Sequence, residues 1–562
     1  MAYPHIDILD WGTLQPLFDR LQTAELTVET AGAWLQEWSD LNAALHEGSA
    51  QINRAVSENT ADAAAEARFN HLVEDIVPKS STANQALKQK FLALSDYVPA
   101  ADTAMLLKRF RTEASIFREE NIPLETELVK QGNEYDKTVG AMTIEWDGQV
   151  ETLPQAGLHL HERDRATRER AWRLLMDRFL ADRARLNELY LSMLPKRRQM
   201  ARNAGFSTFR SYMWQAYNRF DYTPEDCFTF HDAIEHEVVP VATALNQQRA
   251  TKLGLTTLRP WDMEVETEGE PLRPFNDVRD LEAGVQRMFN QVDPVLGKHF
   301  ATLRDGFLDL PSRQNKAPGG YCASFPVSRR AYIFMNAAGT HDDVQTLLHE
   351  GGHAFHYLES ARQPLVWNLN GPMEFCEVAS MGMELLAAPY LAQSRGGFYS
   401  EADAQRAYAQ KLRGIITFLP YMAVVDRFQH WVYAEAPDNI TATDLDAKWS
   451  ELWDRFMPGI DFTGLQREKE TGWQRKGHIF TVPFYYIEYG LAEVGAMQVW
   501  RNALHDQAQA VADYRAALAL GDTRPLPALF QAANIRFAFD RDTVGELMRL
   551  VSGKIQELTA PN

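Results

Sequence analysis

Two histidines four residues apart, with a glutamate beside the first, carry the clearest chemical signal in this chain: His349-Glu350-Gly351-Gly352-His353. On an α-helix, residues four apart lie on one face about a turn apart. His349 and His353 can therefore aim both imidazoles at one ion. Glu350 projects beside that face, where it can take a proton from water on the metal. Two imidazoles, a carboxylate and an open position form the arrangement expected of one catalytic zinc ion. The preceding Asp342-Asp343-Val344-Gln345-Thr346-Leu347-Leu348 reads as amphipathic helix, and its acids suit a helix N-terminus. Gly351 and Gly352 each cost about 1 kcal/mol inside a helix. Close approach of another backbone or of a substrate would explain that cost. His356, a turn beyond His353, is within reach of a ligand role, but the plainer reading is a supporting or core histidine.

The third ligand must come from elsewhere. Downstream, Met373-Glu374-Phe375-Cys376-Glu377-Val378-Ala379-Ser380-Met381-Gly382-Met383-Glu384 repeats a helical pattern that sets Glu374, Glu377 and Glu384 near one face. On spacing alone any of them can ligate. A carboxylate the metal does not use can instead accept a hydrogen bond from a ligand imidazole and orient it. The plain alternative for Glu374 is a solvated charge at a helix start. Cys376 points away from the Glu377 face and reads as a small buried hydrophobe.

The elements that must position these groups are mostly helices. Apolar residues recur at three- and four-residue intervals from Trp11 to Leu45, from Ala61 to Val77 and from Asn84 to Leu94, with Pro78 as a break. Glu162 to Ala204 is a long amphipathic stretch whose Arg and Glu residues suggest a solvated face with paired charges. Strand signals are few. Met142–Trp146 and Gln149–Leu153 flank Asp147-Gly148 and read as a hairpin. Ala331–Met335 is a short strand just before the metal motif, and Leu255–Pro274 is a long loop. The expectation is a mainly α protein with a small sheet near the metal.

Composition narrows the function classes. At 562 residues the chain exceeds what one hydrophobic core usually holds. We expect a helical lobe over residues 1–155 and a catalytic region over 156–562. A formal net charge of -19 disfavours nucleic acid and anionic membrane as partners. Three widely spaced cysteines, Cys227, Cys322 and Cys376, do not make a disulfide framework and fit a reducing compartment. The N-terminus lacks the pattern of a signal peptide and no stretch is long enough to span a bilayer. Cytoplasmic residence is the expectation.

Several blocks in one order resemble the thimet oligopeptidase and oligoendopeptidase F peptidases. They are Gly319-Gly320-Tyr321-Cys322-Ala323-Ser324, Tyr332-Ile333-Phe334-Met335-Asn336, Gly339-Thr340, and Asp342-Asp343-Val344 leading into His349-Glu350-Gly351-Gly352-His353-Ala354-Phe355-His356. Glu377-Val378-Ala379-Ser380, His478-Ile479-Phe480 and Pro483-Phe484-Tyr485-Tyr486-Ile487-Glu488-Tyr489 follow. Arg202–Phe206 and Arg259–Asp262 are also similar, so the likeness runs from Glu162 to the C-terminus. The resemblance implies zinc ligands at His349, His353 and Glu377, with Glu350 as catalytic base. It implies that His478 and tyrosines of the last block contact the substrate and polarise its carbonyl. Tyr486 and Tyr489, three apart, match the family's pair best, and the choice between Tyr485 and Tyr486 stays open. It further implies a two-lobed helical shell around a deep channel that admits oligopeptides and excludes folded proteins.

The chemistry agrees with that implication. Tyrosine hydroxyls or a histidine aimed at the attacked carbonyl oxygen stabilise its developing charge. A glycine-rich loop at Gly319 and Gly320, with Tyr321 and an exposed strand edge, can bind extended peptide by main-chain pairing. For Phe484, Tyr485 and Tyr489 the plain alternative is packing under a helix. The leading reading is a zinc endopeptidase acting on short unfolded peptides. Its rivals are a zinc carboxypeptidase of similar shape, which needs a fixed basic residue for the terminal carboxylate, and a non-catalytic peptide-binding protein.

Overall fold

The computed structural model describes residue 3 and residues 6–560 other than 314 and 318. Helices Trp11–Thr23 and Ala31–Glu58 occupy the first periodic stretch. Between them Thr27 and Thr30 exchange side-chain and main-chain hydrogen bonds, which closes one helix and turns the chain into the next. Their apolar faces, with Leu14, Phe18, Leu21, Trp34, Leu35 and Trp38, pack with Leu87, Phe91 and Phe110 into one hydrophobic core. A larger core begins at Ile116 and takes in the helices around the metal motif.

Two expectations about helices need correction. Pro78 does not break its helix. Ala63–His71 runs on through a π turn at Leu72–Ile76 into Val77–Leu92. The wider turn absorbs the N–H that Pro78 lacks. Glu162–Ala204 divides at Asp182 into Arg165–Ala181 and Arg183–Asn203. Its surface does carry paired charges, such as Arg173 with Glu169 at 2.7 Å. Arg168 and Arg197, however, are buried. Arg168 meets Asp262 at 2.9 Å and so ties down the 255–274 loop. Arg197 holds the Ile479 and Phe480 carbonyls and the Tyr433 hydroxyl.

The hairpin forms as expected. β1 (Thr143–Trp146) pairs antiparallel with β2 (Gln149–Thr152). Asp147 and Gly148 both have positive φ, 50° and 81°, as the tight turn between right-twisted strands demands. A second sheet contains β3 (Leu308–Pro311), β4 (Tyr321–Phe325) and β5 (Arg330–Ala337) in the order β3-β5-β4. β5 is parallel to β3 and antiparallel to β4. Among the described residues β4 has a strand partner on one side only.

β5 leads into the motif helix, His341–Ser360. Thr340 caps it: its hydroxyl accepts from the Asp343 N–H, and Asp343 accepts in return from the Ala338, Gly339 and Thr340 N–H groups. Beside it run the Glu377 helix (Met373–Ala387), the long helix Glu401–Ala434 and the tyrosine helix Ile487–His505. The Glu377 helix packs against both the motif helix and the tyrosine helix. The fold is mainly α with small sheets, the class read from the sequence.

Candidate metal centre and its surroundings

Helix spacing brings the imidazoles of His349 and His353 together, with ring centroids 4.9 Å apart. Glu377 enters from the neighbouring helix. Its Oε2 lies 3.4 Å from His349 Nε2 and 3.6 Å from His353 Nε2. One donor atom from each residue fits within 4.8 Å of the others. An imidazole pair and a carboxylate converging this way match the donor set for a zinc-sized divalent ion.

The motif glycines explain how the two helices come so close. A Cβ on Gly352 would stand 2.5 Å from the Ala379 carbonyl oxygen and from Ser380 Cα. A Cβ on Gly351 would meet the Phe289 ring at 2.6 Å. Backbone approach, one of the two explanations open from sequence, accounts for Gly352. It lets Glu377, one turn before Ser380, reach the histidines.

Each of the three is held from behind. His349 Nδ1 lies 2.9 Å from Glu384 Oε1, and Lys411 of the long helix holds the other Glu384 oxygen at 2.6 Å. The His353 ring hydrogen-bonds to the Cys376 main chain. Tyr485 donates to Glu377 Oε1 at 2.8 Å, and Ser380 Oγ donates to Oε2 at 3.0 Å. Burial would raise the Glu377 carboxyl, but the His353 and His349 rings and the Tyr485 hydroxyl outweigh it and hold it at about 2.

Glu350 differs from these three. Its Oε2 is buried and has no hydrogen-bond partner among the described residues. Burial pushes its carboxyl up to about 7, offset only in part by His349. Gly320 approaches it: a Cβ there would lie 3.5 Å from Glu350 Oε1 and 3.3 Å from the Phe334 carbonyl oxygen. Gly319 takes φ +89° just before β4. Tyr321 opens β4 and stacks on Phe334 with centroids 4.9 Å apart.

The His478 segment closes the other side. His478 Nε2 is 3.3 Å from the Tyr489 hydroxyl. Burial and the Lys476 charge lower the His478 imidazole to about 4, so it is neutral near pH 7. The Tyr485 and Tyr489 hydroxyls are both kept protonated by burial and by the nearby Glu377 charge. Tyr489 also feels Glu350. Tyr486 turns its hydroxyl elsewhere, to Lys476 Nζ at 3.2 Å.

Phe484 sets these directions. It is a core residue with φ +69°, a left-handed backbone that costs a phenylalanine about 1–3 kcal/mol. Two buried side chains hold it there. The Phe484 N–H donates to Gln429 Oε1 at 2.8 Å, and Arg219 donates to the Phe484 carbonyl at 2.6 Å. Arg219 also meets Glu488 at 2.7 Å and Glu374 at 3.7 Å.

That cluster corrects the plain reading of Glu374. It is buried, not solvated, because the Tyr222 hydroxyl at 2.6 Å and Arg219 pair with it. His356 lies outside the ligand set. It is buried against Phe375, and neither ring nitrogen has a partner among the described residues. Cys376 turns its thiol to the Gly371 carbonyl. Lys411, Arg219, Gln429 and Lys476 were not singled out by sequence reasoning, since none belongs to a spaced motif.

Within this mainly helical fold, two motif histidines thus face a glutamate of the next helix. The family model for peptidase family M3 matches residues 158–548, and the chain belongs to that family. It is 22% identical over 321 residues to an oligoendopeptidase F homolog of Lactococcus lactis subsp. lactis (strain IL1403), covering 56% of this chain and 51% of that protein. It is 26% identical over 250 residues to oligopeptidase PepF of Bacillus subtilis (strain 168), covering 42% of this chain and 36% of that one. The aligned part thus spans about half, or less, of these relatives' length. Among solved structures, PZ peptidase A with inhibitor 2 is similar at a TM-score of 0.91 and 25% identity, covering 99% of this chain and 98% of that one. An oligoendopeptidase F from Enterococcus faecium shares the fold at a TM-score of 0.64 and 13% identity, covering 97% and 96%.

Proposed function

We propose that this chain is a zinc-dependent endopeptidase that hydrolyses internal bonds of short unfolded oligopeptides. One observation carries the reading: three donor atoms of His349, His353 and Glu377 converge beside the buried, unpartnered Oε2 of Glu350. Those three residues would hold a single zinc ion. A divalent metal there would supply Lewis acidity, polarising a carbonyl and lowering the pKa of water toward neutrality.

The chain's own groups do the rest. Glu350 takes a proton from the attacking water and hands it to the leaving amine, a task suited to a buried carboxylate with an unpartnered oxygen. His478 and the tyrosine cluster donate to the carbonyl oxygen as charge develops there. Tyr489, close to the carboxylates and backed by His478, suits this role better than Tyr486. Tyr485 is engaged with Glu377 and orients that ligand. Gly319, Gly320 and Tyr321 open the free edge of β4, where an extended peptide would add as a strand. A two-lobed shell, with residues 1–155 as one lobe and 156–562 as the other, would leave a channel between them for oligopeptides. No helix of the described residues is long and apolar enough to cross a membrane, and we assign the protein to the cytoplasm.

The test is cleavage mapping on a peptide acetylated at one end and amidated at the other. Internal hydrolysis supports the proposal. An intact blocked peptide whose free-acid twin is trimmed from its C-terminus favours a carboxypeptidase, and tight binding without hydrolysis by the metal-loaded protein favours a peptide-binding protein.

A further inference from the structure

Lys476 sits two residues before His478 and is half-buried. Its ammonium lies 5.1 Å from the ring centroid of Tyr421 and 4.8 Å from that of Tyr486. Its hydrogen-bond partner is the Tyr486 hydroxyl at 3.2 Å. An ammonium has three N–H donors to satisfy. Among the described residues no carboxylate oxygen lies within 4.0 Å of it. Other lysines withdrawn from solvent are answered by acids: Lys411 by Glu384 at 2.6 Å, Lys469 by Asp454 at 2.7 Å and Lys316 by Asp309 at 3.0 Å. A cation taken partly out of water without a counter-charge costs stability unless something else uses it.

Its position suggests the use. From Lys476 the contacts run through Tyr486 to the His478 ring, 5.1 Å between centroids, and on to Tyr489, whose hydroxyl meets His478 Nε2. The ammonium therefore lies one tyrosine ring away from His478, a proposed oxyanion donor. Two tyrosine rings fix its direction and cover part of it. An ammonium already partly desolvated by the fold has less hydration to give up when a carboxylate pairs with it, and the charge-assisted hydrogen bond is the gain.

We propose that Lys476 forms a subsite for a carboxylate of the peptide substrate, either its free C-terminus or an acidic side chain at a fixed distance from the cut bond. This deepens the peptidase reading above and rests on it. Short peptides would be favoured in part because their terminal carboxylate comes within reach of this site.

The experiment uses the full-length metal-loaded protein and four versions of one quenched-fluorescent peptide. Two differ as free acid and C-terminal amide. The other two, both amidated, carry Glu or Gln at one position on the same side of the cut bond. If the wild type cuts none of the four, the peptidase reading itself fails. If it cuts them, the free-acid or the Glu peptide should show a KM about ten- to a hundredfold lower than its neutral twin. Lys476→Gln should raise the KM of the acidic peptide by that factor and close the gap to its neutral twin; the Lys476 charge also acts on His478, and that effect is common to both twins and cancels in their ratio. Lys476→Arg should restore much of the difference. The pair that shows the gap tells which carboxylate is recognised. Equal KM values for charged and neutral twins in the wild type, or a gap that survives Lys476→Gln, overturns the subsite. An unfolding temperature no lower than that of the wild type certifies that the variant is folded.

Discussion

His349 Nδ1 stands 2.9 Å from Glu384 Oε1, and Lys411 grips the other oxygen of that carboxylate. The contact fixes the His349 tautomer with its lone pair on Nε2, the atom that faces Glu377. Replacing Glu384 by Gln keeps the shape but weakens that orientation. We expect metal affinity to fall about ten- to a hundredfold, measured by competition with a chelator of known affinity. Unchanged affinity would mean that Glu384 serves only to neutralise Lys411.

Gly352→Ala would drive a methyl group into the Ala379–Ser380 backbone. Neither backbone can yield as a flexible side chain can, so the motif and Glu377 helices must part. A loss of about 3 kcal/mol in stability is expected, with weaker metal binding as Glu377 withdraws. Thermal unfolding with and without metal would measure both.

Gln429→Leu leaves the Phe484 N–H buried and unpaired, at a cost of about 1–3 kcal/mol. The left-handed turn at Phe484 should then relax, and Tyr485 and Tyr489 should lose their aim. The expected signature is a fall in kcat larger than any rise in KM. If KM alone changes, the clamp positions substrate and not the oxyanion donors.

Lys476 offers a pH test. Burial lowers its ammonium from the usual 10.5 to about 8. Tyr421, Tyr486 and His478 face it, with Arg475 next in sequence, and none of these is an acid that would restore its charge. The folded chain thus holds this proton less tightly than the unfolded chain. The resulting cost, up to about 3 kcal/mol, is fully present below pH 8 and vanishes as pH rises past 10.5. Lys476→Met should therefore raise the unfolding temperature at neutral pH. In the wild type, preference for the carboxylate-bearing peptide should decline with a midpoint near pH 8 in kcat/KM.

Motif spacing made the centre of the site legible in the sequence because a helix turns i and i+4 side chains to one face whatever surrounds it. The hairpin at Asp147-Gly148 and the strand at Ala331–Met335 were legible for the same local reason: turn chemistry and short apolar runs act within a few residues. What spacing left undecided was the choice among Glu374, Glu377 and Glu384. Three acids on one face become a residue bound by Arg219 and Tyr222, one that meets the histidines, and one that backs His349. That sorting depends on partners more than a hundred residues away in sequence for Glu374, and on which helix packs at Gly352. Pro78 misled because a π turn is not written in local propensity. Arg168 and Arg197 misled because a charged helix face says nothing of the carboxylate or carbonyls that later bury it.

The most direct test combines metal analysis with hydrolysis of a blocked peptide by wild type, by the chelated protein and by Glu350→Gln. One metal ion per chain is expected in both proteins as purified, since Glu350 is not a ligand. Hydrolysis should vanish on chelation, return with zinc, and fall by at least about a thousandfold in Glu350→Gln while its metal stays bound. Activity that survives full metal removal, or a Glu350→Gln protein as fast as wild type, would contradict the account.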